Sequence, residues 1–521
     1  MSTVLHKKSI LKKTFEVGSS TLLSRFFGII REVLMVRYLG AGAISDGFLT
    51  AYKIPNLLRK IFAEGALSAV FIPTLVGIVR KDKKQANSLI SLGFLVFESF
   101  LLVACALIMW HARTILELMV PGWPAEQITA TVPFLRILMP FILFLSSSAL
   151  LASALQSVGH FFVPAFAPIL LNIVFIGSLL ICMFFSLPVE YFCVFILFGG
   201  LVQFIFHLIA YIKLHFAFGP INQEAKQQFK AIILRFLPCV LTISAMEIAL
   251  LIDTRFASYL PAGTISLLNY ANRFMNIPLG VFAVAFSTIL LPHFSRVAVY
   301  APKRLSFYLL ETTKFVFWVT VPATIVMSFF AEKIFLTIFL SKKFSLAQVY
   351  EAKTLLIAFS LGLFFFSLNK ILLSLYYALH VTWIPTIISI ITTLLNIALD
   401  YVLMTHFQSI GLALATTISM GVVQTLLFVV FLRYYFKFSF YLKNFLNFFI
   451  RYTAQLALIL TASYGLYRLC LVLVAKLPIT LASFMLNGLG FWFWVGPLCG
   501  AAALTIFCTR RLFNIKLHFL D

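Results

Sequence analysis

Charge is scarce in this chain, and acid is scarcest of all. Only 11% of the 521 residues are charged, and 17 acids face 40 lysines and arginines. A soluble globular protein has roughly 25% charged residues, so a chain that is also 62% hydrophobic is not one. Paired cysteines are missing too. The seven cysteines, at 105, 182, 193, 239, 470, 499 and 508, form no CxxC pair or ligand-like cluster, which excludes a disulfide framework and a zinc site. No glycine-rich nucleotide loop occurs, which argues against direct ATP hydrolysis. There is no HExxH, paired-acid loop or Ser/His constellation, and the nine histidines are dispersed. The N-terminal MSTVLHKKSILKKTF lacks an apolar core with a small-residue cleavage site, so it reads as a retained cytoplasmic end.

What the chain does contain is apolar runs of about 20 residues, the length that crosses a bilayer as a helix. The runs are continuous and do not alternate at period two, which excludes a β-barrel. The expected fold class is therefore an all-α polytopic membrane protein. The formal charge of +23 would suggest nucleic acid in a soluble protein. Here most Lys and Arg sit in short gaps between apolar runs, and no nucleic-acid partner is expected.

Fourteen spans are predicted, near 14–38, 46–78, 86–110, 130–155, 161–186, 190–212, 229–259, 265–291, 308–330, 352–378, 384–405, 409–432, 449–471 and 484–508. Alternate gaps are rich in cations: Lys7 to Lys13, Arg80 to Lys84, Lys213 to Lys230, Arg296 to Arg304, Arg433 to Lys443 and Arg510 to Lys516. Positive loops stay on the cytoplasmic side, which puts both termini inside. The chain also repeats. AGAIS at 41–45 returns as AGTIS at 262–266, an offset of 221 that also relates Pro164 to Pro385 and Glu32 to Asp253. Six spans per repeat is an even number, so the repeats enter the membrane in the same orientation, as in transporters with a site between halves. The expected organisation is a lobe at 1–217, a second at 218–440, and two added spans with a tail at 441–521.

Against this apolar background the first two spans hold Arg25, Arg31, Glu32, Arg37, Asp46, Lys53, Arg59, Lys60 and Glu64. The second half adds Asp253, Arg255, Arg273, Lys370 and Asp400. A charge at bilayer depth costs from a few to over ten kcal/mol, roughly, and marks a polar cavity. A single Arg near a span end is best explained by snorkelling to the headgroups. A cluster in which cations outnumber acids asks for an anionic partner, and the planar guanidinium fork suits phosphate. Pro55, Gly65 and Pro73 interrupt the second span, as simple kinks or as hinges.

The motifs that hold these residues resemble those of the MurJ (MviN) lipid II flippase family of the MOP exporter superfamily. They are SRFFGIIRE at 24–32, GAGAISDGF at 40–48, KIPNLLRKIFAEGALSAVFIP at 53–73, PAFAPILLNI at 164–173, NRFMNIPLGV at 272–281 and STILLPHFS at 287–295. The resemblance implies two six-helix lobes around a central cationic cavity, with two further helices beside a lipid-facing groove. It implies transport, not enzymatic chemistry, of lipid II across the bacterial cytoplasmic (inner) membrane for peptidoglycan synthesis. The substrate-binding residues it implies are Arg25, Arg31, Arg59, Arg273, Asp46, Glu64 and Lys53. Glu32, Lys60 and Asn272 depart from the family's usual Asp, Arg and Asp. No cofactor is implied, but some members carry a sodium site, and Asp253, Asn396, Asp400 and Thr416 resemble it. Asp253 pairing with Arg255 or Arg273 is the competing reading. The implied partners are lipid II, the bilayer and the cell-wall synthesis machinery. A sister exporter of another polyprenyl-linked oligosaccharide is the nearest alternative. A drug exporter would need acids in its cavity, and a membrane scaffold would leave the buried cations unexplained.

Overall fold

The computed structural model describes residues 7–519 except 65, 80, 81, 380, 382 and 440. The described residues are helical almost throughout and contain no strand, only an isolated bridge between Ser341 and Phe344. The chain is an all-α, multi-pass membrane protein. Among the described residues, eight helices are long and apolar enough to cross a membrane, or nine if the bent pair Leu346–Ser360 and Leu363–Ala378 is one span. Helix also occupies the charge-bearing segments Lys7–Leu39, Ala43–Arg59, Gln223–Ala257 and Thr264–Pro278. These segments are not in the apolar set, so length and apolarity alone give fewer crossings among the described residues than the fourteen expected. Another stretch, Trp383–Tyr434, takes in two expected spans and breaks at Gln408, whose φ is +51°.

The chain divides into two compact units, Met1–Ser266 and Leu267–Asp521. In the first, Lys7–Leu39 packs on Phe162–Phe184, and Ala43–Arg59 packs on Ala125–Leu138. Small residues let these helices approach, as expected where lipid supplies no hydrophobic drive between them. A Cβ on Gly47 would lie 2.6 Å from Thr131 Oγ1, and one on Gly200 would lie 2.7 Å from the Phe141 ring. The Gln223–Ala257 helix joins this unit by packing on Lys83–Trp110 and Ala66–Val79.

The second unit has a core of Leu290, Phe294, Ile371, Tyr376, Ile388 and Phe428. Its helices Leu442–Ala475 and Phe491–Thr509 bury Tyr452, Leu456 and Ile506 together with Ile515 and Leu517 of the C-terminal segment. Glu311 is 5% exposed; it pairs with Lys314 at 2.6 Å and accepts from the His518 backbone N–H at 3.2 Å. The tail is thereby held against its own unit.

In both units an α-helix runs on into π-helical turns. Ala43–Arg59 continues as Lys60–Glu64, and Thr264–Pro278 continues as Leu279–Val284. Prolines at 55 and 278 each remove an i→i−4 donor just upstream. Single π turns of this kind are frequent at functional sites.

Candidate functional site

The expected site residues of the first unit fall into three groups. Arg25 and Arg31 both lie on Lys7–Leu39, six residues and so about 120° apart around the helix. Arg25 is exposed. Arg31 is compensated: it donates to Glu32 Oε1 at 2.8 Å and to Asn172 Oδ1 at 2.9 Å, and its guanidinium lies 5.4 Å from the Phe175 ring centre. Asn172 in turn donates to the Ser24 carbonyl at 3.1 Å. The expectation of cations left unpaired by protein acids therefore does not hold at Arg31, because Glu32 next to it supplies the counter-charge. Asn172 was legible as a lone amide inside the apolar PAFAPILLNI motif.

The second group lies along Ala43–Arg59 and the π turn. Lys53 donates to Thr254 Oγ1 and lies within coulombic reach of Asp253 and Asp46. Arg59 Nε and Nη2 both donate to Asn56 Oδ1, at 2.9 and 2.7 Å. Lys60 forms a 2.7 Å ion pair with Glu247. Of Glu64 only the backbone is described; its side chain lies outside the described residues.

The third group is a junction. Asp46 is 1% exposed. Its carboxylate accepts from the Gly263 N–H at 2.6 Å, the Ser266 N–H at 2.8 Å and the Ser266 hydroxyl at 2.5 Å. Ser266 Oγ also lies 2.8 Å from Ser45 Oγ. Ser45 and Ser266 are the matching serines of AGAIS and AGTIS, so the two copies of the motif bond to each other through residues 221 apart. Gly263 has φ +99°, and a Cβ there would lie 2.8 Å from the Ala41 carbonyl oxygen. Only glycine fits both constraints. Buried and triply bonded, Asp46 is a structural acceptor in this arrangement and not an open ligand for substrate.

Arg273 belongs to the second unit, exposed on Thr264–Pro278. So do Asn396, Asp400 and Thr416, while Asp253 belongs to the first. Asn396 and Asp400 are buried, and the Asn396 amide donates to Asp400 Oδ2 at 2.7 Å. The Ser419 hydroxyl donates to Asn396 Oδ1 at 2.6 Å, and Thr416 Oγ1 donates to the Leu412 carbonyl at 3.1 Å. Carboxylate, amide and hydroxyl oxygens are hard donors, which fits sodium and not a transition metal. Among the described residues no group of three or more His, Cys, Asp or Glu gathers to hold a metal.

Comparisons with known proteins agree with this architecture. The sequence model for "Lipid II flippase MurJ" matches residues 35–484. Probable lipid II flippases of Buchnera aphidicola subsp. Acyrthosiphon pisum and Haemophilus influenzae are similar to this chain. The first is 33% identical over 424 residues, 79% of this chain and 81% of that protein. The second is 32% identical over 417 residues, 77% of this chain and 82% of that protein. A solved lipid II flippase MurJ in an inward closed conformation superposes with a TM-score of 0.77 at 25% identity, covering 95% of this chain and 99% of that one. A multidrug MATE transporter of the MOP superfamily, inward-facing, shares the fold at a TM-score of 0.66 and 14% identity, over 77% and 92% of the two chains. This chain belongs to the MurJ lipid II flippase family.

Proposed function

We propose that this chain is a transporter that moves lipid II, the undecaprenyl-pyrophosphoryl disaccharide-pentapeptide, from the cytoplasmic to the outer leaflet of the bacterial cytoplasmic membrane for peptidoglycan synthesis. Family membership over most of the chain carries the reading, and the exposed side chains of Arg25 on Lys7–Leu39 and Arg273 on Thr264–Pro278 support it. Both termini lie in the cytoplasm, and residues 1–217 and 218–440 act as lobes that rock about the interrupted helices. Arg25, Arg31, Arg59 and Arg273 neutralise the diphosphate, while the prenyl tail stays in lipid. Guanidinium forks match phosphate oxygens two at a time. Rocking of the lobes exposes the head group to the other side, and release follows from weaker binding there. Lys53 and the Lys60–Glu247 pair set the charge around the π turn where Ala43–Arg59 loosens.

A sodium ion would be held by Asp400, Asn396 and Thr416, with Asp253 as the family's further ligand. It would supply a cation gradient to bias the cycle. Cell-wall synthesis enzymes are the expected functional partners. The deciding experiment is reconstitution in vesicles with labelled lipid II. Translocation of chemically unaltered lipid, together with rescue of a cell depleted of its own flippase, is the expected result. Failure of both overturns the reading. Replacing external sodium by potassium is expected to slow transport, and an unchanged rate removes sodium from the scheme.

A further inference from the structure

Inside the first unit lies a pocket of about 380 Å³, bounded by the π turn and by the helices Phe141–Ser157, Phe162–Phe184 and Val189–Lys213. Arg59 stands at one side of it, with Ser148, Gln156, Gln203 and His207 as the rest of the polar lining and apolar side chains, Pro164 and Pro168 among them, between. We propose that this pocket is a subsite for the neutral amide- and hydroxyl-bearing part of the head group, recognised by Gln156 and Gln203; this rests on the lipid II reading above.

Two acceptors here lack their usual donors. Gln203 Oε1 is buried and has no hydrogen-bond partner. Buried polar atoms are ordinarily paired, so each exception needs an explanation. Pro168 has no N–H to offer the Pro164 carbonyl one helical turn earlier, which leaves a second acceptor without its usual helical donor. His207 is 2% exposed, and its Nδ1 lies 2.9 Å from the Gln203 backbone carbonyl. A carbonyl only accepts, so Nδ1 carries the proton and the imidazole braces the turn that presents Gln203. Away from Arg59 the unmatched groups of this wall, Gln203 Oε1 and the Pro164 carbonyl, are acceptors and call for donors, which a diphosphate does not bring. A carboxamide offers two N–H donors and one carbonyl acceptor, so Gln156 and Gln203 complement a secondary amide or a sugar hydroxyl, which both donates and accepts. The space is an order of magnitude larger than the roughly 30 Å³ share of one water, which suits a ring or a peptide unit. Arg59, already turned toward Asn56, sits where the neutral part would join an anionic one.

The test is equilibrium binding by native mass spectrometry of the full chain in detergent, with two probes: lipid II, and undecaprenyl diphosphate, which has the anion and tail but neither sugar nor peptide. Gln203→Met is expected to weaken lipid II binding about tenfold, the effect of losing a buried hydrogen bond of ordinary strength. It is expected to leave undecaprenyl diphosphate within twofold. Gln156→Met, on a different helix, should show the same selectivity and guards against a local packing fault in one variant. Arg25→Ala should weaken both probes. Equal losses for both probes, or no loss for lipid II in either glutamine variant, overturn the subsite. A wild-type chain that binds neither probe overturns the lipid II reading itself. Peptide-free lipid II then divides the sources: a Gln203 effect that persists assigns the sugar amide, and one that vanishes assigns the peptide.

Discussion

Residues 43–64 and 264–284 occupy the same position in the repeat, and each is an α-helix that passes into a π turn. Their side chains have diverged. At the offset of 221, Asp46 corresponds to Leu267, Lys53 to Phe274, Arg59 to Gly280 and Lys60 to Val281, whereas Arg273 corresponds to Tyr52. With Glu64, which corresponds to Ala285, the first segment carries two acids and three cations where the second is apolar or small. Backbone form survives because it depends on helix propensity and on prolines that interrupt the ladder. Charge is free to differ because each cation is satisfied locally, at Asn56, Thr254 or Glu247. The repeat keeps the frame, and one copy has been loaded with the polar chemistry.

Arg59 is the position where the two segments are expected to differ most in function. Arg59→Ala is expected to cut lipid II translocation in vesicles 10- to 100-fold, the loss of a charged hydrogen-bond donor worth about 1.5–3 kcal/mol. Transport at the wild-type rate would make the charge difference between the two segments incidental. Next comes Asp46. Asp46→Ala removes three accepted bonds from a buried junction and leaves two backbone N–H groups unpaired, a cost of about 3 kcal/mol. The thermal midpoint in detergent should fall by several degrees, while Leu267→Ala at the matching position should lower it less. Gly263→Ala introduces a Cβ against the Ala41 carbonyl at positive φ, for about 1–2 kcal/mol. A stable Gly263→Ala chain would show that the AGAIS and AGTIS loops need not pack so closely. The smallest effect is expected at Lys60 and Glu247. Their side chains are 33% and 14% exposed, and a double-mutant cycle should give no more than about 1 kcal/mol.

Legibility followed the same division. The all-α membrane fold could be read directly, because apolar runs of bilayer length leave the backbone no alternative to helix. The repeat, the prolines and the concentration of Arg and Lys near the N-terminus were also visible as letters. The sequence did not disclose that the turn after Arg59 takes π form, nor that Gln223–Ala257 packs with the first unit. Asp46 shows the limit best: its motif marks it as functional, and its three donors show it to be a clasp between two copies of a loop. Gln156, Gln203 and His207 carried no signal at all, since lone polar residues in apolar spans look alike until a cavity separates them.

Composition and hydropathy by themselves determined that this chain lies in a bilayer as a helical repeat with a cationic surplus. Those properties depend on each segment's own preference for lipid or water. Tertiary structure alone decided which polar groups meet across helices: Arg31 with Asn172, Lys60 with Glu247, Asp46 with Gly263 and Ser266. Pairing is a matter of a few ångströms between helices far apart in sequence, and hydropathy holds no record of that distance.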